Sequence, residues 1–169
     1  MTPVARRSLE FTIRQASPSD IPLIAHHRAA MFREMGKLAV HQMEALQRAT
    51  ESYLRGALPS GEYIAWVVED TGTPPTAIGG AGAQIRSILP RPHPGSDELE
   101  HGPEAIVLNV YVEPPWRRGG IGDALMRAVL DGLAARGIRR IVLHASDDGR
   151  RLYERLGFVA TNEMRLASG

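Results

Sequence analysis

The chain has 169 residues, of which 43% are hydrophobic and 23% charged, with a formal net charge of +1 and no cysteine. These values are typical of one globular domain with a substantial core, and we expect a single domain over residues 1–169. The charge balance predicts no nucleic-acid surface, and the lack of cysteine excludes disulfides, thiolate metal ligands and an acyl-cysteine intermediate.

The first half of the chain is predicted to form a strand, two helices and two further strands. A short strand is predicted at 11–14, and Ser17-Pro18-Ser19-Asp20 has the capping-box pattern that begins a helix, which ends at Gly36. The apolar period predicts a second helix from about Val40 to Arg55. β-forming residues predict strands at 63–69 and 76–87, and the many Ala and Gly of the latter indicate close packing against it.

The second half contains the clearest helix of the sequence. Residues 90–103 hold four prolines and two glycines and are predicted to form a loop. An almost unbroken apolar run at 105–112 predicts a central strand, and a helical period follows over 120–136, ended by Gly137. A strand at 139–144, a helix at 147–156 and short strands at 158–160 and 164–166 complete the prediction, which is a mixed α and β domain.

The connection between the central strand and the clearest helix is the most informative segment. It reads Val112-Glu-Pro-Pro-Trp-Arg-Arg-Gly-Gly-Ile-Gly122. Backbone N–H groups and the positive end of a helix dipole converge at such a turn, and they suit an anion, best of all a diphosphate. A P-loop is excluded because Asp123 follows the last glycine, and no dinucleotide fingerprint is completed. The alternative is a basic, glycine-rich connector without a ligand.

Arg117-Arg118-Gly119-Gly120-Ile121-Gly122 fits the pattern Arg/Gln-x-x-Gly-x-Gly/Ala, and Val112-Glu113-Pro114 precedes it. In these motifs the chain resembles the GNAT superfamily of acyltransferases, and its element order is similar from residue 105 to 159. The resemblance implies an α+β fold whose mixed, mostly antiparallel sheet splays apart between its fourth and fifth strands, with about four flanking helices. It also implies acetyl-CoA as co-substrate, with the pantetheine arm in the splayed gap.

The resemblance implies a set of coenzyme-binding residues along the central strand, the turn and the last helix. They are Val110, Tyr111, Val112, Arg117, Arg118, Gly119, Gly120, Ile121, Gly122, Asp123 and Ser146. The glycine turn would donate backbone N–H groups to the diphosphate, and either arginine could add a charge-assisted bond or remain solvated. A backbone N–H near Asn109 would face the thioester oxygen. Ser146 stands where many members carry Asn, and it is also a natural helix N-cap.

Three side chains are candidates for catalysis. Tyr153 lies in a Tyr-x-x-x-Gly-Phe element similar to one in which the hydroxyl faces the coenzyme sulfur, so it would protonate the leaving thiolate or else only pack in the helix. Glu104 shares side-chain parity with Val110 and Val112, and it is a candidate general base or a surface residue. Asn109 could orient the substrate or satisfy a buried backbone group.

The function expected from this resemblance is direct transfer of an acetyl group from acetyl-CoA to a primary amine of a small molecule or a protein. A non-catalytic acyl-CoA-binding module and transfer of a longer acyl chain are the alternatives. The six histidines show no recurrent metal-ligand spacing, so no metal is expected. No apolar run reaches about 18 residues, and none follows Arg6-Arg7 as a signal sequence would require. We therefore expect no membrane partner, a cytoplasmic location, and a monomer or homodimer.

Overall fold

The computed structural model describes residues 10–166, so the Arg6-Arg7 pair lies outside the described residues. The strands are β1 (Phe11–Gln15), β2 (Tyr63–Asp70), β3 (Ala77–Pro92), β4 (Leu99–Val112) and β5 (Arg140–Leu143). The α-helices are α1 (Ile21–Glu34), α2 (Met43–Ser60), α3 (Ile121–Ala134) and α4 (Asp147–Arg155). Short 3-10 turns at Pro18–Asp20, Val40–Gln42 and Pro114–Trp116 precede α1, α2 and the approach to α3. Within the described residues, no helix has both the length and the apolar character needed to cross a bilayer.

The five strands form one open mixed sheet in the order β1-β2-β3-β4-β5. The first four strands pair antiparallel, whereas β5 runs parallel to β4. The β4–β5 pairing covers only residues 104–107 against 140–143. Because β4 continues to Val112, its last five residues have no pairing on the β5 side. This is the mixed sheet, splayed between its fourth and fifth strands and flanked by four helices, that the sequence predicted.

Two apolar cores lie on opposite faces of the sheet because successive side chains of a strand point to opposite faces. The larger core packs α3 against Trp66, Val68, Ala105 and Val107. A Cβ on Gly132 of α3 would overlap the Trp66 ring, so this helix lies closer to β2 than any other residue type at that position would allow. The smaller core packs α1 and α2 against Tyr63 and Ala65.

The predicted loop at 90–103 is wrong for most of its length. Strand β3 extends to Pro92 and β4 begins at Leu99, so only 93–98 connect them in a long hairpin. The register shifts between Ile88 and Arg91, which places Pro90 at an irregularity where its missing N–H breaks no regular ladder position. The ion pair between Arg91 and Glu100, at 2.9 Å, joins the two strands beyond that point.

Two smaller predictions also differ from the structure. Helix α2 continues past Arg55 to Ser60, and Gly61, with a φ of 78°, ends it. The predicted strands at 158–160 and 164–166 are wrong, because residues 157–166 contain no strand. Val159, Met164 and Leu166 in that segment are 81%, 93% and 94% exposed, and two three-residue strands whose one partly buried apolar side chain is Phe158 have little to stabilise them.

Candidate active site

A β-bulge interrupts β4 at the point where it has left β5. Leu108 lies opposite Gly82 and Tyr111 opposite Gly80, so Asn109 and Val110 together oppose Ala81. Asn109 has a φ of 57°, in the left-handed region that asparagine tolerates better than most residues. A bulge of this kind bends the strand and leaves one residue outside the regular ladder. The backbone of β4 therefore changes direction within its unpaired half.

The bulge also reverses which side chains face which side of the sheet. Ala105 and Val107 pack against the α3 core, and so do Val110 and Val112 after the bulge, although the residue parity has changed. Glu104 lies on the other face, with Asn109 and Tyr111. The prediction that Glu104 shares a face with Val110 and Val112 is therefore wrong, because the extra residue of a bulge shifts side-chain alternation by one.

Asn109 is held by two hydrogen bonds from different parts of the fold. Arg28 of α1 donates from Nη1 to Asn109 Oδ1 at 2.6 Å, and Asn109 Nδ2 donates to the Tyr63 hydroxyl of β2 at 2.8 Å. Tyr63 is only 3% exposed, and this burial raises the pKa of its phenol to about 12. Tyr63 is thus a neutral acceptor of the Asn109 amide. The sequence left two roles open for Asn109, orienting the substrate or satisfying a buried backbone group. Its amide oxygen and nitrogen instead each have a side-chain partner within the protein.

The turn between β4 and α3 presents its backbone to solvent. Arg118 and Gly120 both have positive φ, of 64° and 83°, and residues 117–120 are exposed. Gly120 is the N-cap of α3, and the first helical hydrogen bond of the turn runs from the Ala124 N–H to the Gly120 carbonyl. The N–H groups of residues 121–123 have no intrahelical acceptor, as in the first turn of any α-helix. An anion beside this turn would meet several unpaired donors and the helix dipole.

The side chains of the first turn of α3 point away from this opening. Ile121 is buried in the α3 core, and Asp123 accepts a hydrogen bond from Arg127 at 2.7 Å along the helix. Any contribution of Ile121 and Asp123 to an anion site would therefore come from their backbone N–H groups.

The two arginines of the turn have different environments. Arg117 donates from Nε to the Val112 carbonyl and from Nη2 to Glu34, both at 2.7 Å, and its guanidinium lies over the Tyr111 ring. The Tyr111 hydroxyl also donates to Glu34, and burial together with this bond raises the pKa of Tyr111 to about 12. Arg118 is exposed and has no hydrogen-bonded or ionic partner among residues 10–166. Of the pair, Arg118 has the guanidinium that is available to a ligand.

Helix α4 lies beside the glycine turn. Leu152 approaches Gly122, where an added Cβ would be 3.5 Å from Leu152 Cδ2. Tyr153 packs against the α3 core and meets Phe158 edge to face, with ring centroids 6.0 Å apart. Burial raises the pKa of the Tyr153 phenol above its usual value. The hydroxyl therefore keeps its proton at neutral pH, as a proton donor must.

Ser146 acts as the N-cap of α4. Its Oγ accepts a hydrogen bond from the Gly149 N–H at 3.2 Å. A Cβ on Gly149 would fall 2.8 Å from Tyr153 Cε2 and 3.1 Å from Ser146 Oγ, so this glycine lets the cap and the Tyr153 ring lie close together. Of the two roles that the sequence left open for Ser146, the cap is visible in the contacts, and coenzyme contact stays a prediction.

Glu104 lies between two arginines at the start of the segment in which β4 pairs with β5. Its side chain is buried, Oε1 accepts a hydrogen bond from Arg86 Nε at 2.7 Å, and Oε2 accepts one from Arg140. Arg140 also contacts Glu100, which pairs with Arg91. The result is a ladder of alternating charges across β3, β4 and β5. Glu104 is thus neither a surface residue nor a carboxylate with free oxygens.

Several residues that build this site carry little signal in the sequence: Arg28, Glu34, Tyr63, Arg86 and Arg140. Arg28 did carry one signal, because it lies four residues after Ile24 on the predicted apolar face of the first helix. A charged residue at such a position needs a polar partner.

His27 is a further buried polar residue. Its Nε2 has no hydrogen-bond partner and lies 3.5 Å from Glu113 Oε1. Burial, with a smaller contribution from His26, lowers the pKa of His27 to about 4. The nearby Glu113 carboxylate would raise this pKa, but it is partly exposed, and the loss of hydration at His27 has the larger effect. Within residues 10–166, no group of three or more potential ligands is arranged to hold a metal ion.

Comparison with known proteins agrees with this geometry. The family model described as acetyltransferase (GNAT) family matches residues 28–158. A GCN5-related N-acetyltransferase from Ralstonia eutropha JMP134 is 35% identical, with 94% of this chain and 98% of that chain covered and a TM-score of 0.79. No match was found among curated proteins.

More distant structures share the fold. A predicted acetyltransferase with acetyl-CoA from Clostridium acetobutylicum is 23% identical, covering 94% and 96% of the two chains with a TM-score of 0.75. An aminoglycoside N-acetyltransferase in complex with CoA is 20% identical, covering 98% and 99% with a TM-score of 0.67. The match of the family model over residues 28–158 and the 35% identity to the Ralstonia protein show that the chain belongs to the GNAT family of acetyltransferases.

Proposed function

We propose that this acetyltransferase moves an acetyl group from acetyl-CoA directly to a primary amine. The observation that carries the proposal is the last part of β4, residues 108–112, which has no partner strand on the β5 side. This segment leads directly into the open glycine turn at the start of α3. An extended ligand beside this strand would have backbone hydrogen-bond partners along its length and anion donors at its end. The pantetheine arm and the diphosphate of a coenzyme A thioester have that order of groups.

In this arrangement the coenzyme is held mainly by backbone. Val110 and Val112 turn their side chains into the α3 core, so their peptide groups, with that of Tyr111, would pair with the pantetheine amides. The N–H groups of Gly119, Gly120, Ile121, Gly122 and Asp123 would bind the diphosphate, and the exposed Arg118 would add a charge-assisted bond. Arg117 would support the turn through Glu34 rather than touch the ligand.

The chemical step would use the bulge and Tyr153. Attack by the amine nitrogen on the thioester carbon forms the C–N bond and places negative charge on the carbonyl oxygen, where a backbone N–H at the bulge would stabilise it. Collapse breaks the C–S bond, and Tyr153 would give its proton to the departing thiolate. The proton lost by the amine passes to solvent, and proton exchange with solvent restores Tyr153. Holding both reactants together supplies much of the acceleration.

We do not assign the general base to Glu104. Both of its carboxylate oxygens already accept hydrogen bonds from guanidinium groups, and this arrangement stabilises the charged carboxylate in place. A role in fixing β3, β4 and β5 together at the start of the β4–β5 pairing accounts better for its burial. For the same reason, we propose that the acceptor amine loses its proton to water rather than to this side chain.

The acceptor class is open between small molecules and proteins. The relatives include an aminoglycoside N-acetyltransferase and a glucosamine-6-phosphate N-acetyltransferase, but at 20% and 14% identity they share the fold alone. A cytoplasmic location and a monomeric or homodimeric state also stay predictions from the sequence.

The test is a panel of amines with acetyl-CoA, monitored by release of free coenzyme A thiol. The panel should contain aminoglycosides, amino sugars, amino acids, polyamines and peptides with free N-termini. We expect at least one acceptor to increase thiol release above the rate of hydrolysis, and the product to be heavier by one acetyl group. Tight acetyl-CoA binding with no release on any amine would favour the binding module. Faster release from propionyl-, butyryl- or longer acyl-CoA would favour the longer-chain alternative.

A further inference from the structure

We propose that Arg28 and Tyr63 are positioning residues that act through Asn109 to fix the β4 bulge, and with it the backbone N–H that receives the thioester oxygen. The proposal rests on the proposed function, because that N–H matters only if an acyl-CoA lies beside β4. It assigns a role to two residues far from the coenzyme turn in sequence. It also changes the role of Asn109 from a substrate contact to part of the scaffold.

The first support is the backbone conformation at the bulge. A φ of 57° inside a strand is unfavourable for a residue with a side chain, and it persists only where the surroundings hold it. Asn109 is 8% exposed, so solvent does little to stabilise its amide. The conformation must be maintained by contacts within the protein, and the two side-chain hydrogen bonds of Asn109 are contacts of this kind.

The second support is the origin of those hydrogen bonds. The donor to Asn109 Oδ1 comes from α1, at 2.6 Å, and the acceptor for Asn109 Nδ2 comes from β2, at 2.8 Å. A helix packed on the sheet and a strand within the sheet therefore hold the two ends of one amide. An amide fixed at both ends cannot rotate without breaking one of these bonds. By holding the side chain at both ends, these bonds would restrict the backbone at Asn109 as well.

The third support is that both partners are themselves fixed. The Tyr63 ring lies against Gly82 on the neighbouring strand, where any Cβ would overlap the hydroxyl. The Arg28 guanidinium lies over the Phe32 ring, 4.8 Å from its centroid. Glycine at position 82 therefore provides the space for Tyr63, and Phe32 directs Arg28 towards the bulge. A polar chain whose members bond to one another and pack against fixed neighbours indicates positioning rather than direct contact.

The experiment measures the thioester carbonyl itself and needs no acceptor. Acetyl-CoA labelled with ¹³C at the carbonyl is bound to the protein, and the carbonyl stretch is recorded by infrared difference spectroscopy. The variants are Tyr63→Phe, which keeps the ring, and Asn109→Gly, which accepts positive φ without strain but lacks the amide. Arg28→Lys keeps the charge but loses the geometry of the guanidinium. Tyr53→Phe is the matched control, because its hydroxyl bonds to Glu62 and Gln84 and not to Asn109.

We expect Tyr63→Phe and Asn109→Gly to move the bound carbonyl band to higher frequency, since a displaced N–H donor polarises the carbonyl less. Arg28→Lys should produce a smaller shift in the same direction, and Tyr53→Phe should produce none. Affinity for coenzyme A without the acetyl group should stay within about twofold in all four variants, because the turn that holds the diphosphate is unchanged. With an acceptor in hand, kcat should fall at least about tenfold and KM for acetyl-CoA should change little.

Unshifted carbonyl bands in folded Tyr63→Phe and Asn109→Gly would overturn the inference while leaving the proposed function intact. An equal shift in Tyr53→Phe would also overturn it, because any loss of a tyrosine hydroxyl would then act alike. If either main variant fails to fold, the carbonyl band of Arg28→Lys is the test, since Arg28 is only partly buried and the change is mild. An unshifted band in that variant would then overturn the inference. Failure of the wild-type protein to bind acetyl-CoA would remove the proposed function itself, which the same titration detects before any variant is compared.

Discussion

Arg117 Nη2 donates to Glu34 Oε2 at 2.7 Å and thereby joins the turn before α3 to the last residue of α1. The two residues are 83 positions apart in sequence. This contact distinguishes Arg117 from Arg118, which the sequence motif alone did not distinguish. Arg117 supports the turn from the side of α1, and Arg118 is left to face a ligand.

We expect Arg118→Gln to weaken acetyl-CoA binding about three- to tenfold, and Arg117→Gln to weaken it less. The reason is that only Arg118 can add a charge-assisted bond to the diphosphate without giving up an existing partner. The loss at Arg118 should shrink at high salt, because an exposed charge is screened. Calorimetry at two salt concentrations measures both effects. A larger loss from Arg117→Gln would show that Arg117 leaves Glu34 when the coenzyme binds.

Gly122 allows a clean test of the coenzyme turn. A Cβ there would meet Leu152 at an ordinary distance of 3.5 Å, so Gly122→Ala should fold and bind nearly as the wild type does. Gly122→Asp adds a negative charge beside the diphosphate and should weaken acetyl-CoA at least about tenfold, or about 1.4 kcal/mol. Gly120 suits the test less, because its φ of 83° would strain any side chain. Equal affinity in the Ala and Asp variants would move the diphosphate away from this turn.

Tyr153→Phe removes the phenol proton and keeps the ring against Phe158. Because burial raises the pKa of Tyr153, the wild-type hydroxyl stays protonated through the neutral range and can act as an acid. We expect turnover to fall by about 10²-fold, with coenzyme affinity and melting temperature little changed. Single-turnover rates are the measurement, since slow product release would mask the effect. Near-normal rates would assign protonation of the sulfur to water.

Glu104→Gln should affect stability more than chemistry. It weakens the hydrogen bonds to Arg86 and Arg140 at a buried position, and we expect a loss of about 1–3 kcal/mol in the free energy of unfolding. The control is Glu100→Gln, which removes a more exposed partner of Arg140 and should cost at most about 1 kcal/mol. Urea unfolding measures both. A 10²-fold loss of turnover at unchanged stability would restore Glu104 as the base.

His27 should make the protein sensitive to acid. Its pKa is lowered to about 4 in the folded state by burial, against about 6.5 when unfolded, so the unfolded chain binds the proton more tightly. The contribution of neutral His27 to the free energy of unfolding is therefore fully present above pH 6.5 and is lost as the pH falls through 4. The loss approaches about 3 kcal/mol. His27→Leu, which cannot titrate, should flatten the curve in this window, whereas His26→Leu, at its exposed neighbour, should change it only slightly, because His26 makes the smaller contribution to the lowered pKa. Unfolding free energies between pH 4 and 7 provide the measurement, and parallel curves for His27→Leu and wild type would contradict the assignment.

The amino-acid sequence was enough to predict the glycine turn, the helix after it and the order of the main elements. These features depend on local physics: glycines permit the conformations of the turn, and apolar residues at helical spacing give α3 one buried face. Patterns of this kind involve residues close together in the chain, so they can be read before the fold is known. The same local reading failed at 90–103, where cross-strand pairing and the Arg91–Glu100 ion pair maintain a strand despite its prolines.

Which side chains surround the site depends on the tertiary structure and could not be predicted from the sequence. Because of the extra residue at the Asn109 bulge, Glu104 lies on the face opposite Val110 and Val112. Simple alternation of side chains along a strand cannot predict this change. The partners of Asn109 come from residues 81 and 46 positions away, and the partner of Arg117 from 83 positions away. Contacts between distant segments depend on how the helices pack on the sheet. For that reason the glycine turn could be predicted from the sequence. The hydrogen bonds that link Arg28, Asn109 and Tyr63 could be seen only in the folded structure.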